Sequence, residues 1–377
     1  MREWTAELLD EMRHTGDPLA DATLQRAVWG HDVPKINAIF RSFAADDAGI
    51  PPDAPPEFLE FVQATRRLPA GVDVARAARG GQVMLEHATL CALALLLKSL
   101  PSGYAAPRLS SVLHMSGNLE KRPYRRALGV LQMLVNISQP GAFADGGGAI
   151  VTGQKLRLLH AGVRHVVRGR LPDFAPRFGT PISQLDMAFT IMTFSVMVVD
   201  GLAALGVRWS EAEAADYFYL WQVYGVLQGI RPEWMPATLE EGRAFCEAYA
   251  REFSPAEANP DGVALTRADL DMMTGLIPWP MRLLGLGPAP TVYLLRMLGE
   301  EAAARVGVRR TARHVWCEWL ALRLPVAWQR LWQNLTPEKE AHDRISRLFF
   351  RTLIVGAWGE EVRFSVPEDL EDMRKLA

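Results

Sequence analysis

The stretch KLRLLHAGVRH, residues 155–165, sets two histidines among three basic side chains in a run whose apolar residues recur at helical spacing. His160 stands four residues after Leu156 and three before Val163, so the three share one helix face with Val167. Arg157, Arg164 and Arg168 form a neighbouring stripe, and His165 projects from another side. An imidazole on an apolar face supports two kinds of chemistry. It can supply an axial nitrogen to a haem iron from the dry side, with an arginine at the porphyrin edge meeting a propionate. It can equally be a neutral core histidine hydrogen-bonded to a backbone carbonyl. The pattern by itself leaves both open.

Other chemistries lack their residues. A ferritin-like di-iron centre needs two Glu-x-x-His pairs on facing helices, and only Glu11–His14 has that spacing. There is no HExxH and no GxSxG elbow. GGGAIVTGQK (146–155) has glycines but no Gly-Lys-Ser/Thr ending, so it reads as a lead-in to the helix of His160. Glu338, Glu340 and His342 read as a solvated helix start. The cysteines, Cys91, Cys246 and Cys317, show no CxxC spacing and fit a reducing compartment rather than a disulfide framework or zinc ribbon.

The elements that must carry His160 are helical. Of 377 residues 49% are apolar, enough for a substantial core, and period-two alternation is nowhere sustained. The spacing predicts helices over 2–14, 20–29, 32–42, 56–66, 72–98, 104–115, 122–136 and 150–168. Further helices are predicted over 181–205, 210–228, 238–251, 266–274, 287–304, 311–333 and 336–355. Ser210 before two glutamates, and Thr336 before Pro337, read as N-caps. The run ISQLDMAFTIMTFSVMVVDGLAALG is apolar on all sides and belongs at the centre of a bundle. Gln184 and Asp186 at its start read either as caps or as contacts to a cofactor edge. The expected architecture is all-α: a single large helical domain over 1–377, with residues 1–60 as a peripheral helical layer, a core over 80–330, and C-terminal helices over 331–377.

A net charge of −2 argues against nucleic acid. The most hydrophobic stretch, ATLCALALLL (88–97), is too short to span a bilayer, so no transmembrane segment is expected. The opening MREWTAELLDEMRHTGD is charged throughout, unlike a secretory signal. The expected location is the cytoplasm.

Several runs taken together are similar to one family. GNLEKRPYRRALGVLQMLVNISQPG (117–141), KLRLLHAGVRHVV (155–167), PISQLDMAFTIMTFSVMVVDGLAALG (181–206) and WQVYGVLQGIRPEWMPATLEEG (221–242), with an early GDPLAD (16–21), resemble the latex-clearing-protein and rubber-oxygenase family, which also includes MpaB-like oxygenases. The resemblance implies a globin-related helical core holding one haem b, and oxidative cleavage of carbon–carbon double bonds by dioxygen. The family's Arg-x-x-His falls on Arg157 and His160. His160 is thereby the implied iron ligand, Arg157 a propionate partner, and Arg164 and His165 further residues around the cofactor. The distal arginine of its Arg-x-x-Lys-Thr segment falls on Arg126, a cation able to stabilise negative charge developing on dioxygen.

This sequence departs from that segment. Gly129 and Val130 stand where the family has lysine and threonine, so residue 129 offers no lysine for the sixth coordination site. Val130, Phe189, Phe194 and Met197 are the expected walls of a pocket for a small or medium-sized hydrophobic molecule. The family's extracellular polymer is not the expected substrate, because its secretion signal is not seen here. A haem-binding sensor or carrier without oxygenase activity is the alternative that Gly129 and Val130 keep open, and a helical protein with no cofactor is a third.

Overall fold

The computed structural model describes residues 2–31, 36, 39, 50–115, 123–277 and 279–319, with side chains from 129 onward in the stretch that begins at 123. Among these residues there are helices and no strand. In chain order they are α1 (Ala6–His14), α2 (Pro18–Gly30), α3 (Pro56–Thr65), α4 (Val74–Glu86), α5 (Ala88–Tyr104) and α6 (Pro107–Met115). Then follow α7 (Pro123–Ser138), α8 (Gly148–Arg170), α9 (Phe174–Phe178), α10 (Gln184–Phe194), α11 (Val196–Ala204) and α12 (Glu211–Leu227). The last are α13 (Leu239–Phe253), α14 (Pro260–Leu276), α15 (Ala289–Leu298), α16 (Glu300–Arg305) and α17 (Ala312–Glu318). The helices expected over 32–42 and 336–355, the end of the one over 311–333, and Glu338, Glu340 and His342 lie largely or wholly outside the described residues.

The apolar run 181–205 forms the centre, as its composition demands, but as two helices. Ser183 and Asp186 close a reciprocal capping box that starts α10. The helix then breaks at Ser195, whose hydroxyl donates to the Ile191 carbonyl at 2.8 Å. A serine bonding back to the preceding turn competes with the helical ladder and bends it. Helix α10 packs against α1, α5, α12 and α13, while α11 packs against α5 and α15. By length and hydropathy Gln184–Ala204 could cross a membrane, yet nearly every side chain of α10 is buried in the protein.

The helix expected over 72–98 also divides. Helices α4 and α5 meet at His87 with an 85° bend, and the His87 ring lies 5.4 Å from that of Trp209. No breaker residue marks this turn in the sequence; a tertiary contact accompanies it. Helix α4 lies along α12 in the most extensive packing of the fold. Gly80 permits it, because a Cβ there would stand 2.2 Å from the Asp216 carbonyl oxygen.

The aromatic side chains of α10 and α12 fill the main core. Trp221 is surrounded by Phe194, Tyr217 and Tyr224 at 5.0, 6.3 and 5.9 Å between ring centroids. Residues 1–60 divide between two clusters. Trp4, Leu9 and Met12 enter the main core with α1. Helices α2 and α3 instead form a second cluster that closes, through Ala20, Leu24, Phe58 and Phe61, on Leu158 and Ala161 of α8.

Candidate active site

Helix α8 turns Arg157, His160 and Arg164 to one side, as their spacing of three and four residues requires. All three line a narrow cavity. Its other walls are Gly16 and Asp17 before α2, Ile182, Gln184 and Met187 around the start of α10, and Gln228 after α12. Arg157 and Arg164 are therefore on the histidine's own face rather than on a separate stripe, while Arg168 is exposed away from the cavity, and the layer that covers α8 supplies the partners of the first two.

Those partners are aspartates. Arg157 makes a two-pronged pair with Asp17, from Nε to Oδ2 at 2.7 Å and from Nη2 to Oδ1 at 2.9 Å. Asp17 also caps α2 through the Ala20 N–H. Arg164, 2% exposed, donates from Nε to Asp21 at 2.7 Å and from Nη1 to the Ile182 carbonyl at 3.2 Å. Its Nη2 has no partner among the described residues, and the buried Gln228 carboxamide beside it meets only the Tyr224 phenol. Leaving a buried donor or acceptor unpaired costs about 1–3 kcal/mol. Incompletely satisfied groups around one cavity mark a place that a polar-edged ligand would complete.

His160 retains some accessible surface, which faces this cavity. The surrounding protein desolvates the ring and the Arg164 guanidinium repels its positive charge, against a smaller opposing pull from Asp17. Together these lower its pKa from 6.5 to about 4. At neutral pH the ring is uncharged, and one nitrogen keeps a lone pair for a metal. Among the described residues no three His, Cys, Asp or Glu side chains stand close enough to hold a bare ion. A single imidazole suits a metal whose remaining ligands come with a macrocycle.

The donor set therefore fits a haem: one neutral imidazole, with an incompletely satisfied guanidinium and a carboxamide beside it. The enclosed room, about 10 Å³, is that of a single water molecule and far below the roughly 300–1,000 Å³ of ordinary small-molecule pockets, so seating a haem requires the walls to move apart.

The remaining site expectations fall elsewhere. His165 is exposed and does not line the cavity. Phe189 stacks on Tyr249 at 3.7 Å, and Phe194 packs on Trp221; both are spent on core packing. Val130 and Met197 are partly buried against the same core. Ile182 and Met187 supply the cavity's apolar walls instead. Arg126 lies on α7, with its side chain outside the described ones. Gln184 neither caps nor meets the cavity with a free edge. Its Nε2 donates to the carbonyls of Gly16 and Gly229 at 3.0 and 2.9 Å, and its Oε1 accepts from the Arg231 N–H. It thus clamps the two loops that bring Asp17 and Gln228 to the cavity.

Gly229 is the tightest point of that clamp. Its φ is +85°, and a Cβ there would stand 2.7 Å from Asp17 Oδ2 and 2.8 Å from Arg157 Nε. Gly229→Ala is expected to cost about 1–2 kcal/mol for the left-handed backbone alone and to push the ion pair apart. A lowered urea midpoint with an unchanged slope would register the loss; a midpoint equal to the unsubstituted protein's would contradict this packing.

The fold and site define an all-helical protein with one neutral histidine presented to an incompletely satisfied polar cavity. Residues 77–356 match the family described as ER-bound oxygenase mpaB/B'/Rubber oxygenase, catalytic domain. The chain belongs to this family. It is 29% identical over 265 residues to a rubber oxygenase of Streptomyces sp. (strain K30), a stretch spanning 69% of this chain and 64% of that protein. It is also similar to the structure of latex clearing protein LCP in the closed state. That match has a TM-score of 0.70 and 26% identity, covering 89% of this chain and 91% of the other.

Proposed function

We propose that this protein is a haem b-dependent oxygenase that uses dioxygen to cleave a carbon–carbon double bond in a hydrophobic, isoprenoid- or lipid-like small molecule. The observation that carries the reading is His160, a neutral imidazole in a cavity bordered by an unpartnered Arg164 nitrogen and Gln228. Family membership and the similarity to a rubber oxygenase support the reaction class.

When bound, a haem would supply the redox chemistry with dioxygen. The protein's residues do the rest. His160 would hold the iron from α8. Arg164 would meet the acidic edge of the group, and the Asp17–Arg157 pair fixes the loop beside it. Ile182 and Met187 keep water from the imidazole. Arg126, in the role its alignment with the family motif implies, would supply a cation to offset negative charge on oxygen. Cleavage balances without an external reductant: the C=C bond breaks, two C=O bonds form, and both atoms of dioxygen enter the products as the alkene is oxidised.

The test is incubation of the haem-loaded protein with an unsaturated isoprenoid under ¹⁸O₂. Two carbonyl fragments, each carrying one labelled oxygen, are expected. Haem retained with no product from any alkene offered would instead favour a sensor or carrier, the reading consistent with Gly129 and Val130 in place of the family's lysine and threonine.

A further inference from the structure

Far from the main core in sequence, α17 packs on the turn that follows α14. Cys317 and Val292 are buried there in a small cluster of their own with Leu286 and Ala289. Above this cluster the surface is apolar. Leu276, Trp279, Leu283 and Leu284 are 64%, 66%, 77% and 69% exposed, and Val315, Trp316 and Trp319 are at least half exposed. Trp316 stacks with Trp319 at 6.1 Å and rests on Gly285, 3.0 Å from where a Cβ would be. The turn and the helix thus present one continuous patch.

We propose that this patch is a docking surface for an anionic lipid bilayer, inserted to the depth of the headgroup boundary. Two observations select lipid over other occupants. Residues 279–284 are exposed one after another, so among the described residues the turn projects with both its sides uncovered. A fluid medium closes around such a knob, whereas a protein partner must offer a matching socket. The charge pattern is also complementary to a phosphate surface. Arg282 sits within the apolar tip, and Arg309 and Arg313 flank α17. All three are exposed, with no ion pair among the described residues. Tryptophan and leucine with guanidinium groups beside them make the interfacial combination: rings at headgroup level, aliphatic tips below, and cations on the phosphates. A bilayer is also where a hydrophobic, unsaturated substrate would be dissolved, but the docking itself does not depend on haem or on the oxygenase reading.

The experiment is flotation of the full chain with vesicles of phosphatidylcholine, alone or mixed with phosphatidylglycerol. The protein is expected to float with the mixed vesicles, and less as salt is raised. The double variant Leu283→Asp/Leu284→Asp should partition about tenfold or more weakly, with far-UV circular dichroism unchanged because both side chains are exposed. Failure of the full chain to float with either vesicle overturns the proposal, and is the outcome if residues 320–377 cover the patch. Undiminished flotation of the variant overturns it too. So does a dimer in solution that the variant converts to monomer without any vesicle binding.

Discussion

Asp186→Ala is expected to lower stability by about 3–5 kcal/mol, the cost of stranding one member of a buried ion pair. Arg108 and Asp186 are each 2% exposed, with Arg108 Nε 2.6 Å from Asp186 Oδ1. Arg108 Nη2 also donates to Asp186 Oδ2 and Ser183 Oγ, both at 3.1 Å. Burial opposes the Arg108 cation, but the carboxylate outweighs it and the guanidinium pKa is raised. The same carboxylate accepts from the Ser183 N–H at 3.0 Å to start α10. Its loss therefore leaves a buried charge unpaired, uncaps the central helix and loosens Ile182 and Met187 in the cavity wall. Chemical denaturation measures the effect. Replacing both partners by apolar residues of similar size, Arg108→Met with Asp186→Leu, should cost much less than either single truncation. Equal losses for single and double variants would mean that the pair's charges are not what the site depends on.

His160→Ala is expected to yield a folded protein without haem, and hence without product. The ring stands at a cavity wall rather than in the packed aromatic centre, so its removal enlarges existing space and leaves the core of α10 and α12 intact. Added imidazole should re-enter that space and restore part of the haem absorption. Arg164→Ala, which removes a group beside the ligand and not the ligand, should weaken retention without abolishing it. Full haem content in His160→Ala would remove the ligand assignment.

Much of this was legible in the residues. The helical spacing around His160 located the site's central face, the apolar run from 181 located the bundle's centre, and Ser210 was readable as a cap that the structure shows. Periodicity tells which face is buried but not what it is buried against. Asp17 and Asp21 reach Arg157 and Arg164 across 140 and 143 residues, and only GDPLAD in the family resemblance hinted that this segment mattered. Gln228 lies within the family-like run 221–242, but nothing in its own spacing singles it out. Phe189 and Phe194 resemble pocket residues in type, yet packing against Tyr249 and Trp221 claims them. The bend at His87 coincides with a ring contact and the break at Ser195 with a serine back-bond, neither of which interrupts an apolar pattern.

The central claim is that His160 faces inward to bind haem iron. The most direct measurement is the visible absorption spectrum of the purified protein, oxidised and then reduced, with and without carbon monoxide. The account predicts a Soret band that shifts on adding carbon monoxide, as an imidazole-held haem with an accessible sixth position would show. A colourless protein that gains no band when hemin is supplied would contradict it, and would leave His160 an ordinary neutral histidine in the wall of a small cavity.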